Sequence, residues 1–218
     1  MLYLKGEKIL EKVIEVKSHW GVNIKNEYII QDKDTLVVIL PGGRYTTFGL
    51  LLYYSYNVSL QSGYDVLGID YGFQKTDKDV ELNEITYSCL VKETEEAIRK
   101  CLNEKKYKKI IFIGKCLGTY IQIKLISKFN NYKQKHVFLT PWADCIEGII
   151  STNSMVIVGT NDICFDKEHI SKIVKFENVT LKTIEGANHD LEKEDYKESL
   201  EILKEVSEYI YDFINDKI

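Results

Sequence analysis

In the segment IIFIGKCLGTYIQIKLI, glycines lie two positions before and two positions after a cysteine, giving Gly114-Lys115-Cys116-Leu117-Gly118. An apolar β-branched run precedes this pentapeptide and a run of helical period follows it, so Cys116 falls on a tight strand-to-helix turn. Side chains two positions either side would collide as strand and helix close on each other, which accounts for both glycines. The central side chain is thrust into the open at a helix N-terminus, where unpaired N–H groups and the helix dipole favour an anion. Cysteine can supply that anion as a thiolate, and the Leu117 N–H stands where an oxyanion forms when sulfur attacks a carbonyl. Taken alone, the pentapeptide fits a glycine-flanked buried cysteine at an ordinary β–α connection equally well.

A nucleophilic thiol needs a base, and the base needs a third group to fix its tautomer. Of four histidines, His19 precedes the main alternation of elements, His136 opens a strand and His169 sits in a helical segment, places that suit solvated or packing roles. His189 differs. It lies in EGANHDLE, a loop after the last strand and before the last helix, and chain direction brings it to the sheet edge that Cys116 occupies. For the acid, SMVIVGTND sets Asp162 just beyond another strand, where a turn or capping role is the plainer alternative. Asp144, in TPWAD, is the reserve acid, while Asp70 and Asp190 read as structural.

The elements that must hold these residues are legible from about residue 35. Apolar strands TLVVIL (35–40), YDVLGID (64–70), KKIIFIG (108–114), KHVFLT (135–140), SMVIVG (154–159) and NVTLKTIE (178–185) alternate with helical segments, as in a mostly parallel sheet with helices on both faces. One predicted helix, after Asn83, buries Ile85, Cys89, Ala97, Ile98, Cys101 and Leu102. The last one buries Tyr196, Leu200, Leu203, Val206, Ile210, Phe213 and Ile214. The runs ILEKVIEV and NEYIIQ come first with short links and predict an antiparallel margin of the same sheet.

The glycine–x–cysteine–x–glycine turn between strand and helix resembles the nucleophile elbow of the α/β-hydrolase superfamily, in the cysteine form known from dienelactone hydrolase; most relatives carry serine. The similarity of layout spans nearly the whole chain, with its specific motifs confined to four short segments. The resemblance implies an α/β-hydrolase fold over residues 1–218 as one domain, and the order Cys116, Asp162, His189 matches that fold's order of nucleophile, acid and base. It also implies that VVILPGGRYTT, the Gly-rich loop after the first central strand, donates a second oxyanion N–H, from Gly43 or else Arg44. The implied activity is hydrolysis through a covalent acyl-enzyme, with acyl transfer, a non-catalytic redox-sensing protein and a hydrolase impaired by serine-to-cysteine replacement as the rivals. In this fold a lid enters after the strand ending near Thr140. Here only PWADCIEGIISTN intervenes, so no lid domain is expected, and small soluble esters, lactones or thioesters suit the open cleft. Arg44, Tyr45, Leu50, Leu51, Tyr53, Tyr54 and Trp142 are the candidate substrate contacts and walls.

Bulk composition agrees. With 44% hydrophobic and 28% charged residues and a net charge of -4 free of long blocks, nothing points to nucleic acid or an anionic membrane, and a small molecule is the expected partner. The opening MLYLKGEKILEKVIEV alternates apolar and charged residues, unlike a signal peptide, so a cytoplasmic protein is expected. The five cysteines show no C-x-x-C pair and read as thiols. Histidines and cysteines lack close ligand spacing along the chain and no glycine pattern suits a nucleotide, so neither a metal nor a cofactor is expected.

Overall fold

The alternation of β-branched runs and helical segments folds into one eight-stranded sheet flanked by helices on both faces, seen in a computed structural model that describes residues 9–31 and 33–218. The first eight residues of the opening alternation lie outside the described residues. Strand order is β1-β2-β4-β3-β5-β6-β7-β8. The strands are β1 (Leu10–Lys17), β2 (Asn23–Ile30), β3 (Thr35–Leu40), β4 (Asp65–Gly68), β5 (Lys109–Lys115), β6 (Lys133–Leu139), β7 (Ser154–Gly159) and β8 (Val179–Ile184). The six strands from β3 onward run parallel, while β1 pairs antiparallel with β2 and β2 with β4, the margin that the sequence predicts.

Side chains alternate across β3 and divide the core in two. Leu36, Val38 and Leu40 face α2 (Glu84–Glu104) and α3 (Leu117–Leu125), whereas Val37 and Ile39 face α1 (Leu50–Gln61) and α6 (Tyr196–Ile214). Asn83 starts α2 by accepting the N–H groups of Ile85 and Thr86, and Asp195 starts α6 by accepting that of Lys197. Both helices bury a stripe that begins later than predicted. Ile85, Tyr196 and Leu200 are 72%, 69% and 56% exposed; in α2 the buried face lies one position on from Ile85 and Cys89, at Thr86, Leu90 and Thr94, and the buried face of α6 opens at Ile202.

The chain leaves β3 through α1 to β4 on one side, then returns through α2 to β5 on the other. Adjacent β3 and β5 therefore flank a topological switch point, the position at which loops leave the carboxyl ends of the strands in opposite directions. Between β6 and β7 there is only a short turn at Ala143–Cys145 and α4 (Ile146–Ile150), so no lid domain covers that edge. The segment between β7 and β8 carries the remaining short helix, α5 (Lys167–Ile173). Among the described residues, no helix is long and apolar enough to cross a membrane.

Candidate active site

Cys116 separates β5 from α3 with φ 51° and ψ −117°, in a region where a residue bearing a Cβ is strained. Its surroundings over-determine that conformation. The Cys116 N–H donates to the Leu139 carbonyl at 3.1 Å, and the Cys116 carbonyl accepts both the N–H of Thr119 at 2.9 Å and its hydroxyl at 2.6 Å. A Cβ on Gly118 would lie 2.2 Å from the Leu40 carbonyl oxygen, and one on Gly114 would lie 2.8 Å from the Gly118 carbonyl carbon, so the two glycines let strand, elbow and helix close together.

His189 and Asp162 arrive from the ends of β8 and β7. Their loops are laced by backbone: Asn161 N–H donates to the Ala187 carbonyl at 2.9 Å, and Gly186 N–H donates to the Thr160 hydroxyl at 2.8 Å. Asn188 shapes the histidine loop, its side-chain oxygen accepting the N–H groups of Asp190 and Glu192. His189 Nδ1 lies 2.9 Å from each oxygen of Asp162, whose side chain is wholly buried and whose Oδ1 also accepts the Cys164 N–H at 2.8 Å. This leaves Nε2, which is shut off from solvent and has no hydrogen bond of ordinary geometry among the described residues. The Cys116 thiol is nonetheless near enough for each group to shift the other. Burial pushes that thiol up, but His189, the Lys115 charge and the Leu117 N–H outweigh it, and the thiol ends below its ordinary value. Burial likewise pulls His189 down, and its bonds to Asp162 and Cys116 overcome this and raise it to about 9. The arrangement favours a thiolate beside an imidazolium.

The Gly-rich loop after β3 passes over the elbow. A Cβ on Gly42 would be 3.4 Å from that of Cys116, and one on Gly43 would be 3.6 Å from the Leu117 side chain. Gln74, absent from the sequence reading, grips this loop. Its side-chain amide donates to the carbonyls of Gly42 and Gly43 at 3.0 Å and of Tyr45 at 3.3 Å. Because the peptide is planar and trans, holding the Gly42 carbonyl turns the Gly43 N–H the opposite way, free to donate elsewhere. Nothing in the FQK context flags Gln74, since its role depends on a reach between two loops.

The remaining candidates are spread out. Arg44 is exposed beside Gly43. Tyr45 is half-buried with its ring 4.7 Å from the Lys115 ammonium. Trp142 is half-buried in an aromatic cluster with Tyr87 and Tyr120, while Leu51 is core and Leu50, Tyr53 and Tyr54 are exposed along α1. Asp144 is exposed on the turn after β6, and Asp70 pairs with Lys75. His136 is fully buried between Phe112 and Phe138, and burial holds it down to about 3. Ligand atoms of Asp162, Cys164 and His189 lie within 4.8 Å of one another, a grouping that the spacing along the chain conceals. Both Asp162 oxygens are already engaged there, by the His189 ring and the Cys164 N–H, which makes the carboxylate an orienting group for the imidazole.

No protein-family model and no curated protein matches the chain. Solved structures do. An esterase from Pyrococcus furiosus superposes with a TM-score of 0.72 at 16% identity, over 95% of this chain and 90% of its own. A dienelactone hydrolase from Anabaena variabilis gives 0.68 at 16%, over 92% and 96%. A serine hydrolase without a lid from Xanthomonas campestris gives 0.67 at 10%, over 95% of each chain. At such identities the likeness is one of architecture, and the architecture of this chain is the α/β-hydrolase fold.

Proposed function

We propose that the protein hydrolyses small soluble esters, lactones or thioesters through Cys116, His189 and Asp162. One observation carries the reading: a strained, half-buried elbow cysteine lies within interaction range of an imidazole whose Nδ1 is fixed by a buried carboxylate. The Cys116 thiolate adds to the substrate carbonyl carbon, and the N–H groups of Leu117 and Gly43 receive the oxyanion. As the intermediate collapses, the bond to the leaving oxygen or sulfur breaks and the His189 imidazolium gives that atom its proton, leaving a thioester on Cys116. Neutral His189 then takes a proton from water, hydroxide adds to the thioester carbon, and the acid departs as the thiolate and imidazolium are restored. Asp162 holds the ring throughout. The uncovered edge suits short, soluble acyl groups better than long chains needing a closed tunnel, and Arg44, exposed next to Gly43, is the candidate to meet a substrate carboxylate.

The test is turnover of a panel of short p-nitrophenyl esters and thioesters by the wild type, Cys116→Ala and Cys116→Ser. Activity should vanish in the alanine variant, and the wild type should show burst release of p-nitrophenol with a thioester adduct on Cys116 detectable by mass spectrometry. Equal turnover by all three proteins removes the covalent mechanism.

A further inference from the structure

Lys115, the residue between Gly114 and the cysteine, carries a charge that the proposed reaction does not use. It ends a buried strand, and its side chain is only 2% exposed although lysine at a strand end ordinarily reaches water. An ammonium withdrawn from solvent is destabilising by several kcal/mol unless it is paired, so its partners are informative. Nζ lies 2.7 Å from Asp190 Oδ1, 3.4 Å from the His189 carbonyl oxygen and 4.7 Å from the centre of the Tyr45 ring. Tyr45 is itself held. Its hydroxyl accepts the Leu51 N–H at 3.0 Å, and Gly49 packs so closely that a Cβ there would lie 2.3 Å from the ring. Three loops therefore meet on one cation: the elbow, the histidine loop and the Gly-rich loop after β3.

We propose that Lys115 is a positioning residue that ties the histidine loop to the elbow and, by its fixed charge, favours the thiolate of the adjacent Cys116. The use of that thiolate rests on the function proposed above, whereas the tie and the charge effect do not. Asp190 has a double part, anchoring the ammonium while offsetting some of its field. Other titratable groups reach the same place: His189 beside Asp190, Asp162 and Cys164 after β7, Cys145 after β6, Tyr71 after β4, and Tyr87 on α2. None of these is a second lysine or arginine, so removing Lys115 takes away the lysine charge next to Cys116 in the chain, one of the groups that hold its thiol down.

The experiment is the rate at which iodoacetamide alkylates Cys116 across pH, read by peptide mass spectrometry on full-length wild type, Lys115→Met and Asp190→Asn. Lys115→Met should move the midpoint of the profile upward and, on the rising limb, slow alkylation by about fivefold, the change in thiolate that a displacement of ~0.7 pH unit makes. Asp190→Asn keeps the cation, removes its countercharge and should move the midpoint downward. Asp190 has a half-exposed side chain, so this variant gives a readable fold even where burial makes Lys115→Met unstable. A Lys115→Met profile superimposed on that of the wild type overturns the proposal. So does an Asp190→Asn profile displaced upward, the direction that loosened packing alone produces. Alkylation needs no turnover, so a Cys116→Ala protein that still hydrolyses esters removes the nucleophile and leaves the Lys115 profile standing.

Discussion

Replacing Asp162 with asparagine changes few atoms and should invert the imidazole. Oδ1 of Asp162 accepts the Cys164 N–H at 2.8 Å, so an asparagine side chain keeps its oxygen there and turns its NH₂ toward His189 Nδ1. A donor facing Nδ1 makes that nitrogen an acceptor and puts the ring proton on Nε2, the nitrogen that must take a proton from the thiol. Asp162's charge, which together with Cys116 lifts His189 to about 9, is lost with the tautomer, and burial then draws the ring down from that value. At 1.36 kcal/mol per unit, losing Asp162's share of that lift weakens the bias toward thiolate and imidazolium by roughly 1–3 kcal/mol, about ten- to a hundredfold in the population of the pair. Ester hydrolysis should drop by at least that factor with KM little changed, because Asp162 is buried behind the histidine. Alkylation of Cys116 at neutral pH should fall toward the rate of an ordinary thiol. An Asp162→Asn protein whose Cys116 alkylates with the wild-type pH profile refutes the reasoning, since the carboxylate would then have no hold on the histidine.

The pH dependence follows from the same pair. Activity should rise as the Cys116 thiol ionises, at a pH below the usual thiol range, and decline through about 9 as His189 loses its proton; a kcat/KM profile flat across both limbs counts against the pair. Stability carries a matching sign. His189 is raised on folding, so its contribution is complete below 6.5 and fades as pH climbs through about 9, whereas Cys116 is lowered, so its contribution fades as pH falls through its folded value. Thermal melts of the wild type and His189→Ala should converge at the alkaline end. Gly118→Ala tests the elbow itself. The new methyl group meets backbone atoms of Leu40 at 2.2 Å and 2.7 Å, so about 3 kcal/mol of stability and a Tm lower by roughly 5–10 °C are expected. A melt within about 2 °C of the wild type would mean that strand and helix are not closed on each other.

Much of this architecture could be read from local chemistry. Runs such as TLVVIL and SMVIVG are apolar nearly throughout because β3 and β7 are covered on both faces, and the alternation in β1 and β2 reports an edge with one face in water. Helix faces were less legible. Ile85 and Leu200 keep the helical period yet are exposed, while Glu93, on the predicted stripe between Cys89 and Ala97 but charged, is buried and accepts the Ser18 hydroxyl and the His19 N–H. At the site, Cys116, Asp162 and His189 stood out because each follows the carboxyl end of a strand, a position that chain order reveals. Lys115 and Gln74 did not, because their partners lie 75 and about 30 residues away and nothing along the chain shows where a long side chain ends.

The choice of nucleophile and the placement of charge bear on each other. A serine hydroxyl remains neutral until its proton leaves during attack, so a fixed cation beside it gains nothing in the resting enzyme. A cysteine in the same place ionises before substrate arrives, and each positive group around it then acts on the ground state. Around Cys116 those groups are the imidazolium of His189, the ammonium of Lys115 and the N–H of Leu117. On the proposed mechanism the geometry of the elbow serves serine or cysteine alike, whereas the charge of Lys115, buried against Asp190 in a costly placement for a lysine, acts on the resting enzyme only with sulfur at position 116. The tie that Lys115 makes between the elbow and the histidine loop serves either nucleophile, so its charge, and not its burial, is the part that the proposed thiolate uses.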